Sequence, residues 1–348
     1  MYIRRPAKLL ALTLALTAAL VTPTLAQTPD GETHIWLPMV PQQRITDLGS
    51  LGGRDGVGYA INNQNQVTGY SQNSMHEMQA FIWSPGTGIR RIGVDGVTSQ
   101  GIDINDQGHV VGVTQTDDYI PRAFLWTPER GLQDLETADS ESSVAIAINN
   151  QDHVVGYTTL VDGHEAALWK PQAGVRLLGA LGGDRSIAYD INNLGQVVGG
   201  SETADGDAHA FIWTEATGMQ DLGTPVGEWS AAIAINDNGQ VIGQRIDAQG
   251  NDRYFLWTAE TGIVDLSARG CYLTGVNSIN NRGQIAGDWL NGRGGFTAAL
   301  CQPDGTIVSL GAATEERSYA TAINDQGNVV GASQHQDGYL HPTLWGNY

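Results

Sequence analysis

The stretch HAFIWTEATGMQDLGTPVGEWSAAIAINDNGQVIG, residues 209–243, contains three short elements that decide the fold of this chain. Trp213 ends an apolar run, Leu222 follows nine residues later within an Asp-Leu-Gly triplet, and an Ile-Asn pair begins at Ile235. The same elements recur in the same order along most of the chain, at intervals of 43 or 44 residues. A fixed period of this size indicates one supersecondary unit that has been copied several times.

The unit occurs seven times. The Ile-Asn pairs begin at Ile61, Ile104, Ile148, Ile191, Ile235, Ile279 and Ile323. The tryptophan position is held by Trp83, Trp126, Trp169, Trp213, Trp257, Cys301 and Trp345. No segment of useful length between these elements has the periodicity of a helix, and each unit instead reads as four short strands separated by turn residues.

The four predicted strands of each unit are labelled a to d in chain order. Strand a ends at the Ile-Asn pair, strand c carries the tryptophan, and strand d is the Asp-Leu-Gly element. One position of the turn between strands a and b holds only Gly, Asn or Asp, as at Asn65, Asp152 and Gly239. These residues tolerate a positive φ, so the position predicts a tight hairpin. Strand a carries small residues along one face, as an innermost strand must where several sheets converge.

Four antiparallel strands in about 44 residues make one blade of a β-propeller. The sequence therefore predicts an all-β fold, a seven-bladed β-propeller of four-stranded antiparallel blades. A parallel β-helix has shorter coils without hairpin turns, and a β-sandwich would not repeat seven times. The chain enters the repeats on a strand d, residues 44–49, and leaves on a strand c, residues 340–345. We expect these two strands to pair, so that an N-terminal outer strand completes the C-terminal blade and removes two exposed sheet edges.

The N-terminus has the pattern of a cleavable signal peptide. Arg4, Arg5 and Lys8 precede an apolar run over residues 9–21, and a small-residue site ends at Ala26. We therefore predict a signal peptide over residues 1–26, cut after Ala26, a leader over residues 27–43, and a single propeller domain over residues 44–348. Within the leader, the segment around Trp36 resembles an additional strand c. No second long apolar segment follows, so we expect a secreted or periplasmic protein without a membrane span.

The chain carries a formal net charge of −19, and removal of Arg4, Arg5 and Lys8 makes the mature chain more negative still. This charge excludes nucleic acid as a favourable partner and suits a soluble exported protein. We expect a monomer. In an oxidising compartment Cys271 and Cys301 are candidates for a disulfide, and a pair of buried free thiols is the alternative.

The repeat resembles a known family. His209-Ala210-Phe211, the Asp-Leu-Gly triplet at Asp221 and the Ile-Asn turn at Ile235 match in order and spacing the HAF family of probable extracellular repeats. The resemblance covers about residues 44–345 and implies export and a repeat fold, but no reaction. The sequence itself contains no nucleophile-elbow, zinc-protease or Walker motif. We therefore predict no catalytic residue, no cofactor and no metal site, and an enzyme remains the less favoured class.

Variation between the copies indicates where a ligand would bind. In a propeller the a–b and c–d turns lie on one face, and the b–c loops and d–a links lie on the other. The a–b turns are nearly uniform here, whereas the b–c loops differ in every copy, and loops on a rigid scaffold are the usual place for binding. Aromatic rings beside carboxylates and amides suit sugar rings, although the same rings could simply cover the blade ends. The candidate ligand-binding residues on this face are Tyr119, Trp229, Tyr272, Trp289, Tyr339, His76, His164 and His209.

Two functions are compatible with these observations. The favoured one is an exported binding or interaction module whose ligand, a glycan or a secreted protein, lies on the face of the b–c loops and d–a links. The alternative is a secreted polysaccharide lyase or hydrolase with histidine and acidic residues at the mouth of the central channel. If His76, His164 and His209 met acidic residues in one concave pocket, the alternative would be favoured.

Overall fold

The computed structural model describes residues 44–115, 120–135, 142–160, 163–225, 227–290, 295–314 and 317–346. The predicted signal peptide and leader, with Trp36, and the candidate residue Tyr119 lie outside these ranges. The described residues form twenty-eight β-strands and one short 3-10 helix. They contain no helix that is long and apolar enough to cross a membrane.

The strands form seven antiparallel sheets of four strands each. Blade 1 contains β2 (Gly52–Ile61), β3 (Val67–Asn73), β4 (Met78–Ser84) and β5 (Gly88–Arg91), and blade 2 contains β6 (Thr98–Ile104), β7 (Val110–Gln115), β8 (Pro121–Thr127) and β9 (Gly131–Asp134). Blade 3 contains β10 (Ser142–Ile148), β11 (Val154–Leu160), β12 (Gly163–Lys170) and β13 (Gly174–Leu177), and blade 4 contains β14 (Gly182–Ile191), β15 (Val197–Thr203), β16 (Ala208–Thr214) and β17 (Gly218–Asp221). Blade 5 contains β18 (Trp229–Ile235), β19 (Val241–Ile246), β20 (Asp252–Thr258) and β21 (Gly262–Asp265), followed by the 3-10 helix Leu266–Arg269. Blade 6 contains β22 (Gly275–Ile279), β23 (Ile285–Leu290), β24 (Phe296–Cys301) and β25 (Ile307–Ser309), and blade 7 contains β26 (Ser318–Ile323), β27 (Val329–Gln334), β28 (Leu340–Gly346) and β1 (Arg44–Asp47).

The first strand of every blade packs against the first strands of both neighbouring blades, so these seven strands form the inner ring. The predicted seven-bladed β-propeller with four-stranded antiparallel blades is therefore confirmed. The turn position that holds only Gly, Asn or Asp has a positive φ as predicted, with φ of 60° at Asn65 and 58° at Asp152.

The predicted closure of the ring is also confirmed. Strand β1 pairs with β28 in antiparallel register, with Ile45 opposite Trp345 and Asp47 opposite Thr343. Beyond the strand, the backbone N–H of Leu48 donates to the carbonyl oxygen of Pro342 at 2.9 Å. The N-terminal strand thus covers the outer edge of the last blade, which would otherwise expose a row of unpaired backbone groups.

Each inner strand carries a β-bulge immediately before its Ile-Asn pair. In blade 1 the register shifts between Gly58 and Ala60, so Tyr59 is the extra residue, and the other six blades shift at the same place. The backbones of strands a and b approach closely beside the bulge. A Cβ atom at Gly69 would lie 1.9 Å from the carbonyl oxygen of Val57, which explains the glycine that every copy has at this point of strand b.

The core lies between blades and is built from the repeated apolar positions. Phe81 and Trp83 of blade 1, for example, pack with Val330 and Leu344 of blade 7. Blade 6 differs because its tryptophan position is Cys301. There, Cys271 and Cys301 form a disulfide, with their Cα atoms 5.8 Å apart. The bond ties the link that enters blade 6 to strand β24 and fills part of the space that a tryptophan occupies elsewhere.

Candidate functional site

The two faces of the propeller differ in how their polar side chains are used. We call the face of the a–b and c–d turns the lower face, and the face of the b–c loops and d–a links the upper face. The lower face surrounds a cavity of about 170 Å³ that is lined by the isoleucine, the asparagine and the following residue of all seven a–b turns.

Two closed rings of hydrogen bonds line this cavity. In the first ring, the side-chain amide of each Ile-Asn asparagine donates to the carbonyl oxygen of its counterpart in the next blade, at 2.9–3.1 Å. The side-chain oxygen of the same residue accepts two backbone N–H groups of its own turn; for Asn62 these belong to Gln64 and Gln66, at 3.0 and 2.8 Å. These asparagines therefore have a structural role, because each one holds its own turn and joins it to the next blade.

The second ring uses the residue after each asparagine. Its backbone N–H donates to the side-chain oxygen of its counterpart in the next blade at 2.8–3.0 Å, again around the whole circle. Three members are aspartates, Asp106, Asp237 and Asp325, and each Oδ2 accepts the side-chain amides of the asparagines on both sides. The polar groups at this mouth are thus engaged with one another, which favours a structural role over ligand binding.

Two half-buried carboxylates on the inner strands were not among the predicted site residues. Asp103 and Asp190 occupy the position before the Ile-Asn pair, and the Oδ2 of each accepts a backbone N–H from the next blade at 2.8 Å. Burial raises the pKa of Asp103 to about 7 and that of Asp190 to about 6, against the opposing effect of these hydrogen bonds. Most other blades have alanine there, and this contrast is the signal that could have identified them.

The three candidate histidines lie in three different blades of the upper face. His209 is buried in blade 4, with Nδ1 2.5 Å from Oδ2 of Asp221 on the adjacent strand. His164 in blade 3 lies 3.0 Å from Oγ1 of Thr159 and edge-on to the ring of Tyr157. His76 is exposed in the b–c turn of blade 1, with φ of 64°. The hydrogen-bond partners of His209 and His164 belong to the same blade as the histidine, so these contacts do not assemble the pocket that the enzyme alternative requires.

The candidate aromatic residues differ in exposure. Trp229 is half-buried at the start of β18, and Trp289 packs against the core of blade 6. The hydroxyl of Tyr339 accepts a hydrogen bond from Nη1 of Arg54 at 3.0 Å, and the guanidinium lies 5.2 Å from the ring centroid. Tyr272 is different because 62% of its surface is exposed.

Three apolar side chains form a partly exposed surface at the upper end of blade 6. Leu290 and Phe296 lie opposite each other on β23 and β24 and are 38% and 41% exposed. The Phe296 ring centroid lies 6.3 Å from that of Tyr319 on the neighbouring inner strand. We call Leu290, Phe296 and Tyr319 the blade 6 patch. Tyr272 lies on the link before blade 6, where Cys271 is bonded to Cys301 and a Cβ atom at Gly270 would lie 3.6 Å from the carbonyl oxygen of Gly305 in the c–d turn.

None of these three residues was among the predicted site residues. Leu290 and Phe296 stand at the ends of β23 and β24, and Tyr319 lies near the start of β26. The exposure of a strand end depends on what packs over it in the fold, and the repeat pattern does not encode this.

Comparison with known proteins adds information on the fold. No protein-family model matches the chain, and no curated protein sequence matches it. Among solved structures, it is similar to the β-propeller domain of the Trilobed protease from Pyrococcus furiosus, with a TM-score of 0.59 and 8% identity over 85% of this chain and 96% of that one. It is also similar to the BP39L lectin from Burkholderia pseudomallei, with a TM-score of 0.51 and 13% identity over 85% of this chain and 99% of the lectin.

A puromycin hydrolase matches with a TM-score of 0.56 and 13% identity over 82% of this chain. The chain spans about half of that enzyme's length, with 50% of it covered. At such low identities these similarities establish the propeller fold alone.

Proposed function

We propose that this chain is an exported binding module that recognises a glycan through the upper face around the blade 6 patch. The observation that carries the proposal is the exposure of Leu290 and Phe296 on that face beside the ring of Tyr319, while the asparagines and aspartates of the lower-face a–b turns are engaged in the two hydrogen-bonded rings. Aromatic rings bind the apolar faces of sugars, and neighbouring polar groups supply directional hydrogen bonds.

A glycan fits this surface better than a large protein interface does. The patch consists of three side chains from neighbouring strands, whereas a stable protein–protein interface usually involves about 20–30 residues on each side. Phe296 and Tyr319 present neighbouring aromatic rings at one edge of the blade, and such a pair of rings is suited to stack on a sugar.

The similarity to a lectin supports the same proposal. That lectin is matched over 99% of its length, so it consists of a propeller without a further domain. The puromycin hydrolase, in contrast, is matched over only 50%. The export part of the proposal rests on the signal-peptide pattern and on the resemblance to the HAF repeats. The negative charge and the covered blade edge support a soluble monomer.

A glycan array combined with a turnover assay tests this function. The mature protein is applied to immobilised polysaccharides, and retained protein and released reducing ends are measured in parallel. We expect retention on a subset of glycans without release of sugar. Failure to bind any carbohydrate would exclude a glycan and favour a secreted protein as the ligand, and release of reducing ends would favour the enzyme alternative.

A further inference from the structure

Side chains from both ends of the propeller sequence meet on the upper face of blade 7. Asp47 ends β1, His335 follows β27, and His341 lies in β28. Nδ1 of His341 is 2.9 Å from Oδ2 of Asp47, and Nδ1 of His335 is 3.6 Å from the same oxygen. The two imidazole rings are stacked, with centroids 4.2 Å apart and planes 11° from parallel.

His335 does not serve the b–c turn in the way that its counterparts do. In blades 1 and 5 the first turn residue is Asn73 or Asp247, and its Oδ1 accepts two backbone N–H groups of the turn at 2.8–3.1 Å. The ring of His335 instead turns towards Asp47, and its Nε2 is buried without a hydrogen-bond partner. A structural role in the turn therefore does not account for this side chain.

The second nitrogen of His341 is already held by a carboxylate. Nε2 of His341 lies 3.2 Å from Oδ2 of Asp337. This is the arrangement that orients metal-binding histidines, in which one ring nitrogen binds the ion and the other donates to a carboxylate. Asp337 would thus fix the tautomer of His341 that leaves Nδ1 available as a ligand.

We propose that Asp47, His335 and His341 bind a divalent transition-metal ion such as Zn²⁺, which cross-links the first and last strands of the propeller. Their ligand atoms all lie within 4.8 Å of one another. Ligands of a tetrahedral zinc ion are about 3.4 Å apart, so small side-chain rotations bring the three atoms into place. Two imidazoles select Zn²⁺ and its neighbours over Ca²⁺ and Mg²⁺, which require oxygen ligands.

Blade 4 provides a matched control. His209 and Asp221 occupy the same positions in strands c and d as His341 and Asp47, and they form the same pair. The position of His335 is taken there by Thr203, so a second imidazole is lacking. Blade 4 should therefore keep a simple His–Asp pair, and its substitution should leave metal binding unchanged.

The test uses mature protein without a histidine tag, stripped of metal with EDTA. Zn²⁺ affinity is measured by competition with a chromogenic chelator, Co²⁺ binding by its visible absorption, and stability by the melting temperature. We expect one Zn²⁺ per chain and a rise in melting temperature of about 5 °C at a hundredfold excess over Kd, with no rise for Ca²⁺. His335→Gln and Asp47→Asn should each weaken Zn²⁺ binding at least tenfold, and His209→Gln should bind as the wild type does.

Any one of three results would overturn the proposed metal site. These are no Zn²⁺ binding at micromolar concentrations, an unchanged Zn²⁺ affinity in His335→Gln, or a loss of Zn²⁺ affinity in His209→Gln equal to that in His335→Gln. If His335→Gln does not fold, Asp47→Asn decides, because Asp47 is exposed and its replacement keeps the shape of the side chain. A folded Asp47→Asn variant with wild-type affinity contradicts the proposal.

Discussion

The side-chain amide of Asn324 donates a hydrogen bond to the carbonyl oxygen of Asn62 at 3.0 Å, although the two residues are 262 positions apart in the sequence. It closes the ring of asparagines on the lower face. Beside it, the backbone N–H of Asp325 donates to Oδ1 of Asn63 at 3.0 Å and closes the second ring. The propeller is therefore closed twice, by these inner contacts and by the pairing of β1 with β28 at the outer edge of blade 7.

The first prediction concerns the asparagine ring. Asn149→Ala removes one hydrogen bond to blade 4 and two within the turn, and should lower the free energy of unfolding by about 2–3 kcal/mol. Gln151→Ala is the control, because the exposed side chain of this neighbour donates to the carbonyl oxygen of Asn193, and its loss should cost less than about 1 kcal/mol. Denaturant unfolding measures both. Equal losses would show that the ring adds nothing beyond ordinary surface contacts.

The second prediction concerns the closing strand. A chain that begins at residue 50 lacks β1 and the buried Leu48, which is 3% exposed. Loss of one buried leucine costs roughly 2–5 kcal/mol, so we expect the melting temperature to fall by about 5–10 °C. The uncovered edge of β28 should also promote association, which analytical ultracentrifugation would detect. A truncated chain with the melting temperature of the wild type would refute the closure.

The third prediction concerns the disulfide. Cross-linking Cys271 to Cys301 closes a loop with a sequence separation of 30, and a disulfide of this kind stabilises by about 2–4 kcal/mol. Reduction should therefore lower the melting temperature of the wild type. Cys271→Ala/Cys301→Ala should begin at the lower value and should not respond to reductant. If reductant left the wild type unchanged, the bridge would not contribute to stability in solution.

The fourth prediction concerns pH. The pKa values of Asp103 and Asp190 are raised in the folded chain. Above about pH 4, these two carboxyl groups therefore stay protonated in the folded chain but lose their protons in the unfolded chain. The contribution of these groups to stability is therefore greatest below pH 4 and is lost as the pH rises through 6 to 7. Asp103→Ser/Asp190→Ser copies Ser278 of blade 6 and removes this dependence.

Unfolding free energies at pH 5 and pH 7.5 measure the effect. Relative to the wild type, the double variant should gain roughly 1–3 kcal/mol in stability between the two pH values. Parallel profiles for variant and wild type would show that the two carboxyl groups titrate normally.

The repeat in the sequence was sufficient to predict the blade number, the strand order and the closure. These features follow from local rules, because Asn65 and Asp152 tolerate a positive φ and the strand b glycines allow the close approach beside the bulge. The blade 6 patch was harder to predict, because Leu290 and Phe296 stand at the ends of β23 and β24, where exposure depends on what packs over the strand end. The cluster at Asp47 could not be predicted by comparing copies, because its members come from opposite ends of the chain and meet only when the ring closes.

The most direct test of the proposed function compares the two faces of the propeller. The best-binding glycan from the array is titrated into the wild type, Phe296→Ala/Tyr319→Ala and Leu194→Ser, where Leu194 is a 70% exposed residue of a lower-face turn. We predict that the upper-face variant loses roughly tenfold or more in affinity, because two aromatic contacts contribute about 1–3 kcal/mol, and that Leu194→Ser binds as the wild type does. Equal affinity in all three proteins, or a loss confined to Leu194→Ser, would contradict a binding site at the blade 6 patch.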